Sequence, residues 1–492
     1  MNSTISLDHA DSVRRAVAPV TDRKLKSALG QFMTPSSVAR FMAAMFPSSN
    51  LDACRLIDAG AGVGALSCAF LDRWKAGDFH FKKVEATAYE IDEKLRNHLI
   101  DHLAGYSGVV ANVIGGDFIE LTAKPELASP GYTHAILNPP YKKINSGSAH
   151  RLALRTVGIE TVNLYSAFVA LAVAQMAPGG QVVAIIPRSF CNGPYYKPFR
   201  DFILERAAIH QIHLFNSRST AFKDDEVLQE NIIIHLECAG RQGPVTITTS
   251  TDDSFSDLES NEHPFSRIVF PDDQERFIHV PTSLEESLIE RSSTVRFSPG
   301  EVGVKISTGP VVGFRMRSQL RELPEPGTVP LLYPNHFNSI GLGITWPGES
   351  RKKPSAILRN EETEKWLYPT GFYCLVRRFS SKEEKRRIVA RVVTPGDLGD
   401  YPMVGLENYF NVFHDSKKGL QKELAYGLAV YLNSTAVDQQ FRRFNGHTQV
   451  NATDLKLMKY PSREALIELG LWALQQAAID QGDIDMKMEE TL

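Results

Sequence analysis

The sequence predicts an α/β fold: a doubly wound, mostly parallel sheet covered by helices on both faces, followed by a C-terminal domain of mixed α+β make-up. Three observations carry this. Short apolar runs alternate with segments of helical period from about Met33 to Leu236, the pattern of strands joined by crossover helices. Two turns, Gly60-Ala61-Gly62-Val63-Gly64 and Asn138-Pro139-Pro140-Tyr141, directly follow such runs. They therefore sit at the carboxyl ends of strands, where open α/β sheets hold ligands. Beyond about Gly240 the alternation stops, and past Arg291 come shorter strand-like runs, many prolines and clustered Arg and Lys.

Residues 1–30 are polar and charged with weak helical period, and read as a loose N-terminal arm. Val38, Phe41, Met42 and Met45 recur at helical spacing after Thr34-Pro35, a plausible helix start. Cys54 to Ala59 is a strand running into the glycine turn, and a helix follows to about Trp74. Val84 to Tyr89 is the next strand, Asp92 to Leu103 a helix, Val109 to Ile114 a third strand and Thr133 to Leu137 a fourth. A helix covers about Val162 to Met176, and the turn Pro178-Gly179-Gly180 leads into the strand Gln181 to Ile186. Ile209 to Phe215 and Asn231 to Leu236 are further strands. The acidic, polar stretch Thr251 to Glu262 reads as a linker or loop. The expected division is an arm (1–30), a first domain (31–285), a second domain (286–460), and an amphipathic helix with an acidic tail (461–492).

The net charge of −3 rules out a histone-like polycation and, over the whole chain, speaks against a nucleic-acid partner. Counted by region it does not. Arg291 to Tyr460 holds 25 Lys and Arg against 16 Asp and Glu, a net of +9, which leaves −12 for the rest. Five widely spaced cysteines without a CxxC pair argue against a disulfide framework or a zinc site and for a reducing, cytoplasmic compartment. The start of the chain has no signal-peptide pattern, and the most apolar run, Ala167 to Ala174, is too short to span a bilayer.

Glycines in the first turn let backbone amides approach a ligand closely. Glu90 ends the following strand, where a carboxylate accepts from ribose hydroxyls. The pair suits a dinucleotide or S-adenosylmethionine, and Asp58 before the first glycine favours the latter, whose amino acid part carries an ammonium. Gly116-Asp117-Phe118 after the third strand could bind an adenine edge and face, although alone it reads as a turn Asp and a core Phe. Asn138-Pro139-Pro140-Tyr141 is the sharpest signal. Its prolines stiffen the backbone and remove donors, so the Asn138 side-chain oxygen and a backbone carbonyl can both point at one amino group. Tyr141 offers a face for a base.

Taken together, Phe32-Met33-Thr34-Pro35, Asp58-Ala59-Gly60-Ala61-Gly62, Glu90, Asp117-Phe118 and Asn138-Pro139-Pro140-Tyr141 resemble the gamma class of DNA amino-methyltransferases. The resemblance is to the BsuBI/PstI-type and Eco57I-like modification enzymes of bacterial restriction–modification systems. It implies a Rossmann-like, S-adenosylmethionine-dependent methyltransferase domain. It further implies methyl transfer to the N6 of adenine in duplex DNA by base flipping, within a type II system. Thr34 and Pro35 match the segment that closes over the methionine end of the cofactor. Asp58, Gly60 and Gly62 match the cofactor loop, Glu90 the ribose carboxylate, and Asp117 and Phe118 the adenine-binding pair. Asn138, Pro139, Pro140 and Tyr141 match the catalytic turn. The family places a second base-stacking aromatic before Asn231; Phe222 is carried over, with Phe215 competing.

Lys305-Ile306-Ser307-Thr308-Gly309 and Gly313-Phe314-Arg315 resemble the opening of the family's target-recognition domain, and Gly446 to Asn451 a segment near its end. The DNA-contacting residues expected are Ser307, Thr308, Arg315, Arg317, Arg351, Lys352, Lys353, Arg377, Arg378, Arg442 and Arg443, with Phe314, Trp346, Phe379, Phe441 and Phe444 interleaved among basic clusters that include Lys385-Arg386-Arg387. The implied partners are double-stranded DNA and, where the enzyme is paired, a separately encoded restriction endonuclease; no membrane and no metal are called for. RNA adenine or DNA cytosine-N4 methylation suits the same turn, and a non-catalytic DNA-binding specificity subunit is the alternative of a different class.

Overall fold

The computed structural model describes residues 7–17, 33–125, 131–216, 230–338, 340–346, 353–381, 383–445 and 448–492. The chain divides into two units, Met1–Leu284 and Glu285–Leu492.

The first unit is built on a nine-stranded sheet: β1 (Ala53–Ala59), β2 (Lys83–Glu90), β3 (Val109–Gly115), β4 (Tyr132–Leu137), β5 (Met176–Pro187), β6 (Ala207–Phe215), β7 (Asn231–Cys238), β8 (Val245–Ser250) and β9 (Glu259–His263). Their order is β3-β2-β1-β4-β5-β7-β6-β8-β9. Strands β3, β2, β1, β4 and β5 run parallel, and β7 is antiparallel to both β5 and β6. Ile57 pairs with Thr87 on one side and Ala135 on the other, so the end of β1 is central. The central strands are buried on both faces, which is why they read as continuous apolar runs.

Helices α1 (Leu7–Val17), α2 (Ser36–Ala44), α3 (Ala65–Ala76), α4 (Glu93–Ala104), α5 (Phe118–Thr122), α6 (Ala149–Thr156), α7 (Leu164–Ala174) and α8 (Lys197–Arg206) complete this unit. One core joins α7 to β4, β5 and β7; the other joins α2 and α3 to the opposite face. Three expectations are corrected. Residues 7–17 of the supposed arm form a helix seated on α3, with Leu7 and Ala10 buried and the Leu7 N–H donating to Asp72 (3.0 Å). The supposed linker ends in β9, antiparallel to β8 at the sheet edge, and Phe255 stacks on Phe41 at 4.1 Å. An edge strand has one solvated side, so its polar residues hide it from an apolar count. Pro178-Gly179-Gly180 lies inside β5 as an irregularity of register, not between two elements.

The second unit holds a four-stranded sheet, order β10-β18-β15-β16, and a five-stranded one, order β11-β13-β12-β17-β14. The strands are β10 (Lys305–Thr308), β11 (Leu320–Arg321), β12 (Thr328–Leu332), β13 (Ala356–Leu358), β14 (Tyr368–Pro369), β15 (Tyr373–Arg377), β16 (Ala390–Val393), β17 (Met403–Leu406) and β18 (Phe410–His414). Helices α9 (Lys422–Asn433), α10 (Thr435–Phe444), α11 (Ala452–Leu457), α12 (Arg463–Gln475) and α13 (Gln481–Thr491) follow. The C-terminal stretch is part of this unit: α12 packs on α9, and in α13 the Asp485 carboxylate accepts from the Thr435 N–H (2.7 Å) and hydroxyl (2.6 Å). Among the described residues no helix is long and apolar enough to cross a membrane.

Candidate active site and family

The carboxyl ends of β1, β2, β3 and β4 carry Asp58, Glu90, the Asp117 turn and Asn138. Glu90, Asp117 and Asn138 line one pocket with Met33, Thr34, Gly60 to Val63, Phe118, Pro140 and Phe168 among others, and Asp58 is buried two residues before its first lining glycine. The glycine turn shapes its floor. Gly60, Gly62 and Gly64 all have positive φ, and a side chain at Gly62 would meet open space, so it is the backbone conformation that demands glycine there. The Gly62 N–H donates to Glu90 Oε2 (2.7 Å) and the Asp92 N–H to Glu90 Oε1 (2.8 Å). Glu90 is thus fixed before any ligand arrives, and burial holds its carboxyl above the ordinary range.

Asp58 is 1% exposed. Its Oδ2 accepts from the Ser67 hydroxyl (2.7 Å), while Oδ1 has no partner among the described residues. Burial pushes its pKa up to about 7; the Ser67 hydrogen bonds oppose this and the nearby Glu90 charge adds to it. A buried carboxylate with one orphan oxygen is a socket for a donor, and best for a cation. Asp117 caps α5, accepting from the Ile119 (2.8 Å) and Glu120 (3.1 Å) N–H groups through Oδ1, and its Oδ2 lies 3.2 Å from His150 Nε2. His150, on α6, carries no sequence signal because its partner lies on another element. Phe118 lines the pocket with its ring edge-on to Tyr89 and against Phe168.

Asn138 Nδ2 donates to Thr34 Oγ1 (2.9 Å), and Tyr141 Oη lies 3.3 Å from both Asn138 Oδ1 and the Ile185 carbonyl. Burial drives the Tyr141 phenol well above its ordinary range, so it stays protonated. Beside it stand Tyr165, Ser189, Tyr196 and Asn163, linked by hydroxyl and amide hydrogen bonds that sequence reading missed. Pro35 sets the β conformation entering α2, which brings Thr34 to the turn. Phe222 lies outside the described residues. Phe215, its competitor, is excluded by its burial in the core against His213 and Phe255.

Near full-length relatives decide the family. The chain is 53% identical to the type II methyltransferase M.BsuBI of Bacillus subtilis, over 99% of this chain and 98% of that protein. It is 43% identical to M.PstI of Providencia stuartii, over 93% and 92%. This chain is a type II restriction–modification methyltransferase. The profile of the Eco57I restriction-modification methylase family matches residues 69–222 of the methyltransferase, the stretch that contains Glu90, Asp117 and Asn138. The fold is shared with a solved DrdV–DNA complex (TM-score 0.51, 11% identity, 95% of this chain and 59% of that one).

In the second unit the methyltransferase's basic residues fall into different settings. Arg315 and Arg317 are exposed around Phe314, which is 69% exposed. Lys353 is exposed, its Nζ 4.7 Å from the Tyr409 ring centroid and 4.8 Å from that of Tyr333. Arg377 is half-buried and ion-paired with Glu384. Arg378 donates to the Asn408 carbonyl (3.3 Å) and Gln449 (3.1 Å). Other residues of the set are engaged within the unit. Arg442, part-exposed, pairs with Asp438 (2.7 Å) one turn back on α10, and Arg443 forms a nearly buried pair with Glu290. Ser307 accepts from His414 Nε2 (2.9 Å), a tautomer fixed because the Lys417 N–H donates to Nδ1. Thr308 is a rung of the β10–β18 ladder. Arg387, Phe441 and Phe444 are core residues. Arg351 and Lys352 lie outside the described residues, as do Gly446 and His447.

Proposed function

We propose that this methyltransferase transfers a methyl group to the N6 amino group of a flipped adenine in duplex DNA. The observation that carries the reading is the Asn138–Tyr141 turn at the wall of the pocket, with its amide oxygen restrained beside a protonated tyrosine. S-adenosylmethionine, when bound, supplies a methyl group already activated on a sulfonium. The residues fit that group. The orphan oxygen of Asp58 suits its ammonium, Glu90 retains acceptor capacity for ribose hydroxyls, and Asp117 offers Oδ2 to the adenine amine, a position it shares with His150. Gly60 and Gly62 keep the loop free of side chains, and Thr34, Pro35 and Phe118 close the sides of the site.

An exocyclic amine is a poor nucleophile because its lone pair is delocalised into the ring. Asn138 Oδ1 and the Pro139 carbonyl accept its two hydrogens and favour the pyramidal nitrogen of the transition state. Pro139 and Pro140 keep those acceptors in place without competing donors. Tyr141 stacks on the base and offsets part of the few kcal/mol that flipping costs. Neither a neutral amide nor a phenol held protonated can serve as base, so the amine proton leaves to solvent after transfer. Arg315, Arg317, Lys353 and Arg377, with exposed Phe314, Phe379 and Tyr409, support DNA binding by the second unit. The matching family, a restriction-modification methylase, supports extending the reading to a modification enzyme paired with a restriction endonuclease. The test is Asn138→Ala with duplex DNA and methyl-labelled cofactor, followed by digestion to nucleosides. The wild type yields N6-methyladenine, and the variant yields none while still binding cofactor. Label in N4-methylcytosine, or in transcripts rather than duplex, would refute the proposal.

A further inference from the structure

We infer that Thr34 is a positioning residue for methyl transfer, holding the Asn138 amide at the catalytic turn where its oxygen can reach the target amine. The inference rests on the catalytic reading of Asn138 above. Thr34 is 5% exposed and sits just ahead of α2, 104 residues from the turn it touches. Its Oγ1 accepts from Asn138 Nδ2 at 2.9 Å, the normal length for such a bond.

The amide has two faces that differ in chemistry but hardly in shape. With the oxygen toward the substrate it accepts a hydrogen and sharpens the nucleophile. Turned over, it sets an NH2 group against an NH2 group, and the contact becomes repulsive. Tyr141, a second neighbour, does not by itself decide between them. Tyr141 Oη lies equally far from Asn138 Oδ1 and from the Ile185 carbonyl, at 3.3 Å. The carbonyl can only accept, so the phenol can give its proton there and accept from a turned amide. The Thr34 hydroxyl can likewise accept or donate, so it fixes where the amide lies rather than which face it shows, and at 2.9 Å it is the shorter of these two contacts. Thr34 also lines the pocket beside Met33 and Gly60, so one residue connects the cofactor wall to the catalytic turn.

Valine at this position keeps the branched shape and removes the acceptor. In the full-length enzyme, Thr34→Val should lower the single-turnover methylation rate about five- to tenfold at saturating cofactor and DNA, the effect of one neutral hydrogen bond. The cofactor Kd should stay within twofold of wild type, and Thr34→Ser, which restores the hydroxyl, should return the rate to within twofold. Thr34→Ala is read the same way if the valine variant does not fold. A wild-type rate in Thr34→Val beside an inactive Asn138→Ala overturns this inference and leaves the catalytic reading standing. Full activity in Asn138→Ala overturns the catalytic reading itself. A cofactor Kd that rises in step with the loss of rate, and a serine that does not rescue, make Thr34 a cofactor contact only and also overturn the inference.

Discussion

Asp58 gives cofactor binding a pH dependence whose shape follows from the structure. The carboxyl is buried, and burial lifts its pKa to about 7 in the cofactor-free protein. The ionised form is the one that pairs with an ammonium, so the proton must leave before the pair forms. Affinity should then rise with pH through about 7. One unit below that pKa about nine molecules in ten carry the proton, so binding at pH 6 should be roughly tenfold weaker than at pH 7.5. Above about pH 8 an α-amino group loses its own proton, and the profile should fall again. Replacing Asp58 by Asn removes both the pair and the titration. The cost is about ten- to a hundredfold in affinity, the range for a charge-assisted hydrogen bond, and the rising limb should disappear. Calorimetric titration of S-adenosylmethionine from pH 5.5 to 9 measures both. A rising limb that persists in Asp58→Asn would assign it to another group and refute the argument, as would a flat wild-type profile. The same proton acts on folding. The carboxyl is protonated up to about pH 7 in the fold but only to about 4 in the unfolded chain. Its stabilisation is therefore complete below about pH 4 and is lost as pH rises to 7.

Three further predictions concern the second unit. Helices α9 and α12 cross at two glycines: a methyl group on Gly427 would lie 1.7 Å from the Leu466 carbonyl oxygen, and one on Gly470 the same distance from that of Glu423. Alanine at either position must push the helices apart, and should cost about 3 kcal/mol and lower the melting temperature of that unit by roughly 10 °C in scanning calorimetry; an unchanged transition would refute the close crossing. Arg443→Ala should destabilise the protein by about 3 kcal/mol, because it leaves Glu290 nearly buried without its cation, and should leave the salt dependence of DNA binding as it was. Arg315→Ala with Arg317→Ala should do the reverse, with wild-type melting and a salt slope shallower by about one per lost phosphate contact. A salt slope that changes only in Arg443→Ala would exchange the two roles.

The contrast between Arg443 and Arg315 shows where sequence reading stops. Both are arginines beside an aromatic residue in a basic cluster, and nothing in the local pattern separates them. What separates them is a glutamate far back in the chain, Glu290, which only the packing of α10 brings into reach. The cofactor pocket was legible for the opposite reason. Asp58, Glu90 and Asn138 lie at the ends of buried parallel strands, which announce themselves as apolar runs, and Asp117 follows the edge strand β3, so the topology alone gathers these ends. Strand β9 and helix α1 escaped because each has a solvated side with too few apolar residues to mark a period. Thr34 falls between these cases. Its motif marked it as part of the pocket, but its contact with Asn138 depends on the entry of α2 at the carboxyl edge of the sheet. Residues on strand ends are thus readable one at a time, whereas a residue that restrains another is readable only when both are in place. It follows that substitutions at Asp58 or Asn138 test chemistry the sequence already states, and that Thr34→Val tests something only the fold contains.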